Sequence, residues 1–362
     1  MSVAVYIDGQ PAEEFATYRM ALEALGPAPD ESQQVFELWT APPKDDAAPR
    51  SVWLNPPLSA PWRDWLMAGG AIVKSSIVAG EAQDRLCWGR SAVRVRSALH
   101  GPLDPAVLAA FLAQDFPLVD ALMLARAFRG EGWPYDLSAY PVPADGPKCD
   151  APFAEFPRHA GLYAVVPTSE WVRRLAEVNL PVVQLRDKRT AHTEFALNIQ
   201  QAIRAVSGTP TRLFINDHWQ LAIEHGAYGV HLGQEDIGTA DLNAMQRAGL
   251  RLGISTHGIY EMLRAHACRP SYLALGAIFA TATKTMATSP QGLRRLRHYV
   301  RLMSPHYPLV AIGGLDLTRI ARVWATGVDC AAVLRAIVDA ADYRRAASDL
   351  LDATPMNHEA GA

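Results

Sequence analysis

The chain has 362 residues, 49% apolar and 20% charged, the composition of a globular protein long enough for two domains. Lys plus Arg number 34 and Asp plus Glu 37, a formal charge of -3, which argues against a nucleic-acid binder that neutralises many phosphates. The four cysteines, Cys87, Cys149, Cys268 and Cys330, are widely spaced and fit neither a zinc site nor a disulfide framework. The opening MSVAVYIDGQPAEEF has no basic segment followed by an apolar one, and no apolar run reaches the roughly 20 residues that cross a bilayer. A cytoplasmic protein with no membrane partner is expected.

Residues 1 to about 155 read as irregular. Proline-rich patches recur at Pro42-Pro43, Pro56-Pro57 and from Pro134 through Pro157, and six of the nine tryptophans fall here. One helical stretch is clear, LDPAVLAAFLAQDFPLVDALMLARAF over 103–128. Asp104 is its expected N-cap and Pro105 its first helical residue, and Pro117 is expected to split it into two short helices. The stretch KSSIVAGEAQDRLCWGRSAVRVRSALHG predicts mixed strand and turn, with alternation at Val93 and Val95. The proline-rich segment Tyr140 to Pro157 reads as a linker. The organisation expected is therefore an N-terminal domain over 1–139, a linker over 140–157 and a second domain over 158–362.

From Gly161 short apolar runs alternate with amphipathic stretches, the pattern of βα units and a parallel sheet. Eight strands are predicted: Leu162–Val166, Val182–Arg186, Arg212–Asn216, Gly229–Leu232, Arg251–Ser255, Tyr272–Gly276, Leu309–Gly313 and Cys330–Leu334, with helices such as 193–206 and 240–248 between them. Eight repeats in this length predict a compact (β/α)8 TIM barrel, preceded by a separate N-terminal α/β extension domain. A doubly wound sheet is the alternative, but no switch point is visible.

In such a barrel the active site lies at the C-terminal ends of the strands. Those ends read QLRDK, INDH, GQED, STH, TATK and IGG, polar at nearly every one. Gln184, Arg186 and Lys188 alternate, so a strand directs all three to one face, where two cations suit an anionic substrate; a solvated rim paired with Asp187 is the plainer reading. Asp217 and Asp236 follow adjacent strands, and two carboxylates beside phosphate oxygens make a Mg²⁺ environment; each also suits a helix N-cap. Thr281, Thr283 and Lys284 form a polar loop able to wrap a diphosphate, with the lysine stabilising a departing group. Gly313-Gly314, with Leu334-Arg335 after the last strand, marks the place where many barrels bind phosphate, or simply a tight turn. His257 suits acid/base work, although a lone histidine there is more often hydrogen-bonded structure.

Taken in order, GLYAVV, VVQLRDK, FINDHWQLAIEHGAYGVHLGQED, LGISTH, YLALGAIFATATK, VAIGG and AAVLRAI resemble the thiamine phosphate synthase family over about residues 161–350. The resemblance implies a transferase of the EC 2.5.1.3 type. It joins 4-amino-2-methyl-5-hydroxymethylpyrimidine diphosphate to a thiazole phosphate, or its carboxylated form, with loss of pyrophosphate ahead of capture by the thiazole nitrogen. It implies Mg²⁺ on Asp217 and Asp236. Gln184, Arg186 and Ser255 then match pyrimidine-diphosphate contacts, while Asn216 and Lys284, with Arg186, stabilise the leaving group. Thr281 and Thr283 match the thiazole-phosphate loop, and Gly314 with the backbone at Leu334 and Arg335 the remaining phosphate contacts. The chain departs from the family at Asp187, where glutamate is usual, and at Arg335, where a small residue is usual. A related thiazole tautomerase, with His257 moving a proton, and a non-catalytic sensor of a thiamine precursor are the competing readings; the TATK loop and both aspartates favour the transferase. The N-terminal half is faintly similar, at LAAFLAQDFPLVDALMLARAF, to the C-terminal helices of hydroxymethylpyrimidine phosphate kinase, without that family's glycine-rich anion hole. A structural extension, or an interface in a homo-oligomer, is the other reading of this half.

Overall fold

The computed structural model describes residues 4–8, 10–25, 35–40, 51–55, 66, 70–79, 81–88, 90–98, 101–187, 192–281 and 289–355. The chain forms two compact units, residues 1–146 and 147–362.

The first unit is built on an eight-stranded mixed sheet. Its strands are β1 (Ala4–Ile7), β2 (Gln10–Pro11), β3 (Val35–Trp39), β4 (Ser51–Leu54), β5 (Ala71–Val78), β6 (Glu81–Trp88), β7 (Ser91–Ser97) and β8 (Val142–Pro143), in the order β2-β1-β3-β4-β5-β6-β7-β8. Pairing is parallel from β1 through β5 and antiparallel from β5 to β8. The registers Val78↔Glu81 and Trp88↔Ser91 leave two residues to each hairpin turn, which is why this stretch reads in sequence as strand broken by turn. Helix α1 (Ala16–Leu25) follows β2. The long helical stretch divides as expected at Pro117 into α2 (Pro105–Ala113) and α3 (Leu118–Ala127). Asp104 accepts a hydrogen bond from the Ala106 amide at 2.8 Å, satisfying one of the donors that a helix start leaves open. Every residue of α2 from Ala106 to Ala113 is buried, so α2 has no polar face and contacts α1 and β1.

One ion pair is sealed inside this unit. Asp84, on β6, takes both Nε and Nη2 of Arg126 at 2.6 Å. Arg126 Nη1 donates to the Gly101 carbonyl at 2.9 Å, and Ser75 Oγ donates to Asp84 Oδ1 at 2.5 Å. The two side chains are 6% and 0% exposed, so the pair is tolerable only because a two-pronged geometry satisfies the charges on both sides.

The second unit is a closed barrel of eight parallel strands: β9 (Gly161–Val166), β10 (Val182–Leu185), β11 (Arg212–Asn216), β12 (Gly229–Leu232), β13 (Arg251–Thr256), β14 (Tyr272–Leu275), β15 (Leu309–Ile312) and β16 (Cys330–Val333). The strand pairing of Cys330 with Gly161 closes the ring. Seven of the eight strands are buried or nearly so along their whole length, as parallel strands covered by helices must be. The expected strands stand within one residue of the observed ones. At four of them the final predicted residue, Arg186, Gly276, Gly313 or Leu334, lies just past the strand, where it is free to turn toward the mouth.

The boundary between the two units falls inside the expected linker, and residues on both sides of it are bound in place. Tyr140 is buried and donates its hydroxyl to the Pro134 carbonyl at 2.7 Å, while Val142–Pro143 adds an edge strand to β7. Residues 147–157 are an extended strap bound to the barrel: the Cys149 amide donates to the Ala267 carbonyl at 3.0 Å and the Phe153 amide to the Arg269 carbonyl at 2.9 Å. Proline lacks a backbone donor but suits an edge strand or an extended strap as well as it suits a free tether; composition alone does not separate these.

Removing one partner of a buried pair strands the other charge. Asp84→Ala is expected to lower the stability of the first unit by about 3–5 kcal/mol, read by denaturant unfolding of the full chain. A loss below about 1 kcal/mol, the range of an exposed pair, would contradict this account.

Candidate active site

The C-terminal ends of the barrel strands surround a cavity of about 490 Å³. Gln184, from β10, and Arg186, just beyond it, both line this cavity, as their alternate spacing predicts. Asn216, Ser255, Thr281, Gly314, Leu334 and Arg335 line it too. Lys188, Thr283 and Lys284 lie outside the described residues. Asp217 and Asp236 are not among the lining residues, although both stand at the same end of the barrel. Asp217 follows β11 in a left-handed conformation, φ 64°, and its amide donates to the His231 carbonyl at 3.0 Å. Asp236 Oδ2 accepts from the Gly233 amide at 3.0 Å, closing the turn after β12.

The floor of the cavity is a hydrogen-bonded chain that crosses the barrel. Gln184 Nε2 donates to Tyr163 Oη at 2.9 Å; Tyr163 and Tyr272 share a hydroxyl bond of 2.8 Å; Tyr272 Oη meets His231 Nδ1 at 2.8 Å; and His231 Nε2 meets Ser255 Oγ at 2.7 Å. With Gln184 as the first donor, each hydroxyl passes its single hydrogen onward. Tyr272 then donates to Nδ1, and the hydrogen on Nε2 points to Ser255. Such a relay holds the imidazole neutral. Burial, and secondly the positive charge of Arg186, drop its pKa to about 3, whereas burial raises both tyrosines above their ordinary value. These three residues escape a reading of strand tips because they sit one layer deeper, inside β9, β12 and β14. Their signal is a polar residue within an otherwise apolar run.

Two glycines make the arrangement possible. A Cβ on Gly253 of β13 would lie 2.1 Å from Cζ of Tyr272, so the ring occupies the space a side chain would need. Gly314 has φ 66°, and a Cβ there would stand 2.7 Å from the Ala280 carbonyl oxygen. The Phe279 amide donates to the Gly313 carbonyl at 3.0 Å. The glycine turn and the start of the threonine loop, separate motifs in sequence, thus form one wall.

Among the described residues three arginines, Arg186, Arg319 and Arg335, line the cavity. Arg335 Nε is 2.8 Å from Asp339 Oδ2, and Arg319, which sequence reasoning missed, is 3.6 Å from Asp316 and donates to the Gly314 carbonyl at 2.7 Å. The side chain of Arg186 has no hydrogen-bond or ion-pair partner among the described residues. His257 also lines the cavity, but its Nδ1 is 2.7 Å from Glu261 Oε2, which in addition accepts the His257 amide. Among the described residues no cluster of three or more His, Cys, Asp or Glu is arranged to hold a metal.

The family model described as thiamine monophosphate synthase matches residues 162–337. A thiamine-phosphate synthase of Photorhabdus laumondii is 51% identical over 202 residues, covering 56% of this chain and 93% of that protein. One from Neisseria meningitidis is 54% identical over 180 residues, 50% of this chain and 87% of the relative. The chain belongs to the thiamine monophosphate synthase family. Among solved structures, a thiamine phosphate pyrophosphorylase from Pyrococcus furiosus is 28% identical and covers 55% of this chain and 97% of its own, with a TM-score of 0.50. The match to the thiamine monophosphate synthase model spans all eight barrel strands but the first residue of β9, and leaves residues 1–161 outside it. No helix among the described residues is long and apolar enough to cross a membrane.

The neutral His231 makes a linkage prediction. Below about pH 6.5 an unfolded histidine binds a proton, while the folded His231 stays unprotonated down to about pH 3. Stability therefore falls as pH drops through that window, by up to about 1.4 kcal/mol per pH unit for this group. His231→Gln is expected to flatten the slope of unfolding free energy between pH 6 and 4 by about one proton's worth, even though it weakens the fold at pH 7. An unchanged slope would show that His231 is already charged when folded.

Proposed function

We propose that the cavity at the barrel mouth joins the pyrimidine diphosphate to the thiazole phosphate to give thiamine monophosphate and pyrophosphate. The chain is an enzyme of thiamine biosynthesis, a transferase of the EC 2.5.1.3 type, as its relatives at about 50% identity indicate. The single observation carrying the residue-level reading is Arg186: a guanidinium unpaired among the described residues, facing a cavity whose floor is neutral. A free planar fork in such a place is suited to diphosphate oxygens.

The reaction asks for a C–O bond to break with both electrons leaving on pyrophosphate, and for the pyrimidine methylene carbon to bond to the thiazole nitrogen. Arg186 donates to the departing oxygens, and Lys284 adds a second cation. Gln184 and Ser255, the two ends of the floor, hold the pyrimidine. The carbon left behind is electron-poor, and an imidazolium beneath it would repel it. His231, kept uncharged, does not, and the rings of Tyr163 and Tyr272 beside it favour positive charge. A floor closed by buried aromatic side chains also keeps water from competing with the thiazole nitrogen. Thr281, Thr283 and Gly314, with the Leu334 and Arg335 backbone, hold the thiazole phosphate. The Arg335 side chain is engaged by Asp339, which leaves its amide as the natural contact.

The donor chemistry of Asp217 and Asp236 fits Mg²⁺. Both are hard carboxylates that follow neighbouring strands, and Asp236 Oδ2 accepts the Gly233 amide in its turn. The left-handed backbone of Asp217 is the kind of local strain that persists where a side chain must be aimed. Mg²⁺ held by these two would offset charge on the pyrophosphate oxygens.

Purified full-length protein is expected to release pyrophosphate only when both substrates and Mg²⁺ are present. Asp217→Ala should lower turnover at least about 100-fold with the thermal midpoint retained; full activity in this variant would remove Asp217 from the reaction. Lys284→Ala should lower kcat more than it changes KM if the lysine acts on the departing group.

A further inference from the structure

Phe156 takes no part in the reaction above, and it comes from outside the barrel repeat. It ends the strap 147–157, which is tied to the N-terminal ends of the strands. The Cys149 and Phe153 amides bond the Ala267 and Arg269 carbonyls, Ser271 Oγ donates to the Ala154 carbonyl at 2.5 Å, and Arg251 Nε donates to the Glu155 carbonyl at 3.1 Å. These anchors bring Phe156 into the barrel from the end opposite the cavity mouth. The ring is 4% exposed and lies in one buried cluster with Tyr163, Phe214 and Tyr272. Its centroid is 4.9 Å from Tyr272 and 5.7 Å from Phe214, which is itself 6.1 Å from Tyr163.

Tyr272 is thus held between two surfaces. On one side the bare Gly253 admits its ring; on another Phe156 fills the space against it. Hydroxyl bonds of 2.7–2.9 Å weaken over a few tenths of an ångström, so an unfilled space beside Tyr272 would loosen the chain at its centre. We propose that Phe156 is a positioning residue for the pyrimidine substrate. By backing Tyr272 it holds Gln184 and Ser255, the two ends of one chain of four hydrogen bonds that follows neither sequence nor strand order, at the spacing the substrate needs. This rests on the reading of Gln184 and Ser255 as pyrimidine contacts.

The test is steady-state kinetics of the full-length chain with each substrate varied in turn, for wild type, Phe156→Ala, Phe156→Leu and Leu296→Ala. Leu296 is fully buried on the helix Gly292–Met303 and controls for a general loss of packing. Phe156→Ala is expected to raise KM for the pyrimidine diphosphate about tenfold and to leave KM for the thiazole phosphate within about twofold. Phe156→Leu should recover most of this, and Leu296→Ala should lower the thermal midpoint without moving either KM. In a Tyr272→Phe background, where the chain is already cut, Phe156→Ala should add less than about twofold. Both KM values rising together, or neither rising in a folded Phe156→Ala, would overturn the proposal. Should Phe156→Ala not fold, Phe156→Val, which leaves part of the same space empty, is expected to show the selective rise, and its absence would do the same. Absence of turnover in the wild type would sink the functional reading instead. The proposal would then be decided by proton NMR, where unchanged exchange of the Tyr272 hydroxyl proton in Phe156→Ala would overturn it.

Discussion

An imidazole buried in the middle of a barrel has to stay neutral, and much of the second unit is arranged so that it can. His231 has two ring nitrogens, and each is met: Nδ1 by the Tyr272 hydroxyl and Nε2 by the Ser255 hydroxyl. Leaving either nitrogen unmet in so dry a place would cost on the order of 1–3 kcal/mol. The chain on either side continues until it reaches groups that face the cavity, Gln184 at one end and Ser255 at the other. The same bonds that make the core affordable also fix the geometry of the floor, so stability and substrate placement are not separate properties here.

The electrostatics follow from that neutrality. Arg186 stands above an uncharged floor, and its field helps keep His231 unprotonated. The other two arginines of the mouth are matched by Asp339 and Asp316. Among the described residues the unmatched positive charge of the cavity therefore sits at one guanidinium, close to where the diphosphate is proposed to lie. In a protein carrying a formal charge of only -3, attraction of an anionic substrate is local.

The barrel is legible in the sequence because parallel strands covered on both faces must be apolar along their length, while their tips cannot be. QLRDK, INDH and IGG stand out for that reason. Gln184, Arg186, Asn216, Ser255 and Gly314 are found this way, and the structure brings all of them to one cavity. The floor is not legible in that manner. Tyr163, His231 and Tyr272 are single polar residues inside apolar runs, and what joins them is the curvature of a closed sheet, which no local pattern encodes. The strap is hidden for the opposite reason. Its prolines are real, but its hydrogen-bond partners at Ala267, Arg269 and Ser271 lie more than a hundred residues away, so composition makes a bound segment look free. In the first unit the split of the helical stretch at Pro117 is read correctly from one residue, whereas the pairing of Asp84 with Arg126 joins positions that share no motif.

Gly253 and Tyr272 also constrain how this barrel can change over time. A phenol ring on β14 fits only while β13 offers a bare backbone opposite it, since any Cβ at 253 would overlap the phenol's Cζ and hydroxyl. A side chain can be gained at 253 only after 272 has shrunk, and a shrunken 272 breaks the bond to His231. The constraint sets an order: position 272 must change before position 253 can, and that first step already breaks the floor.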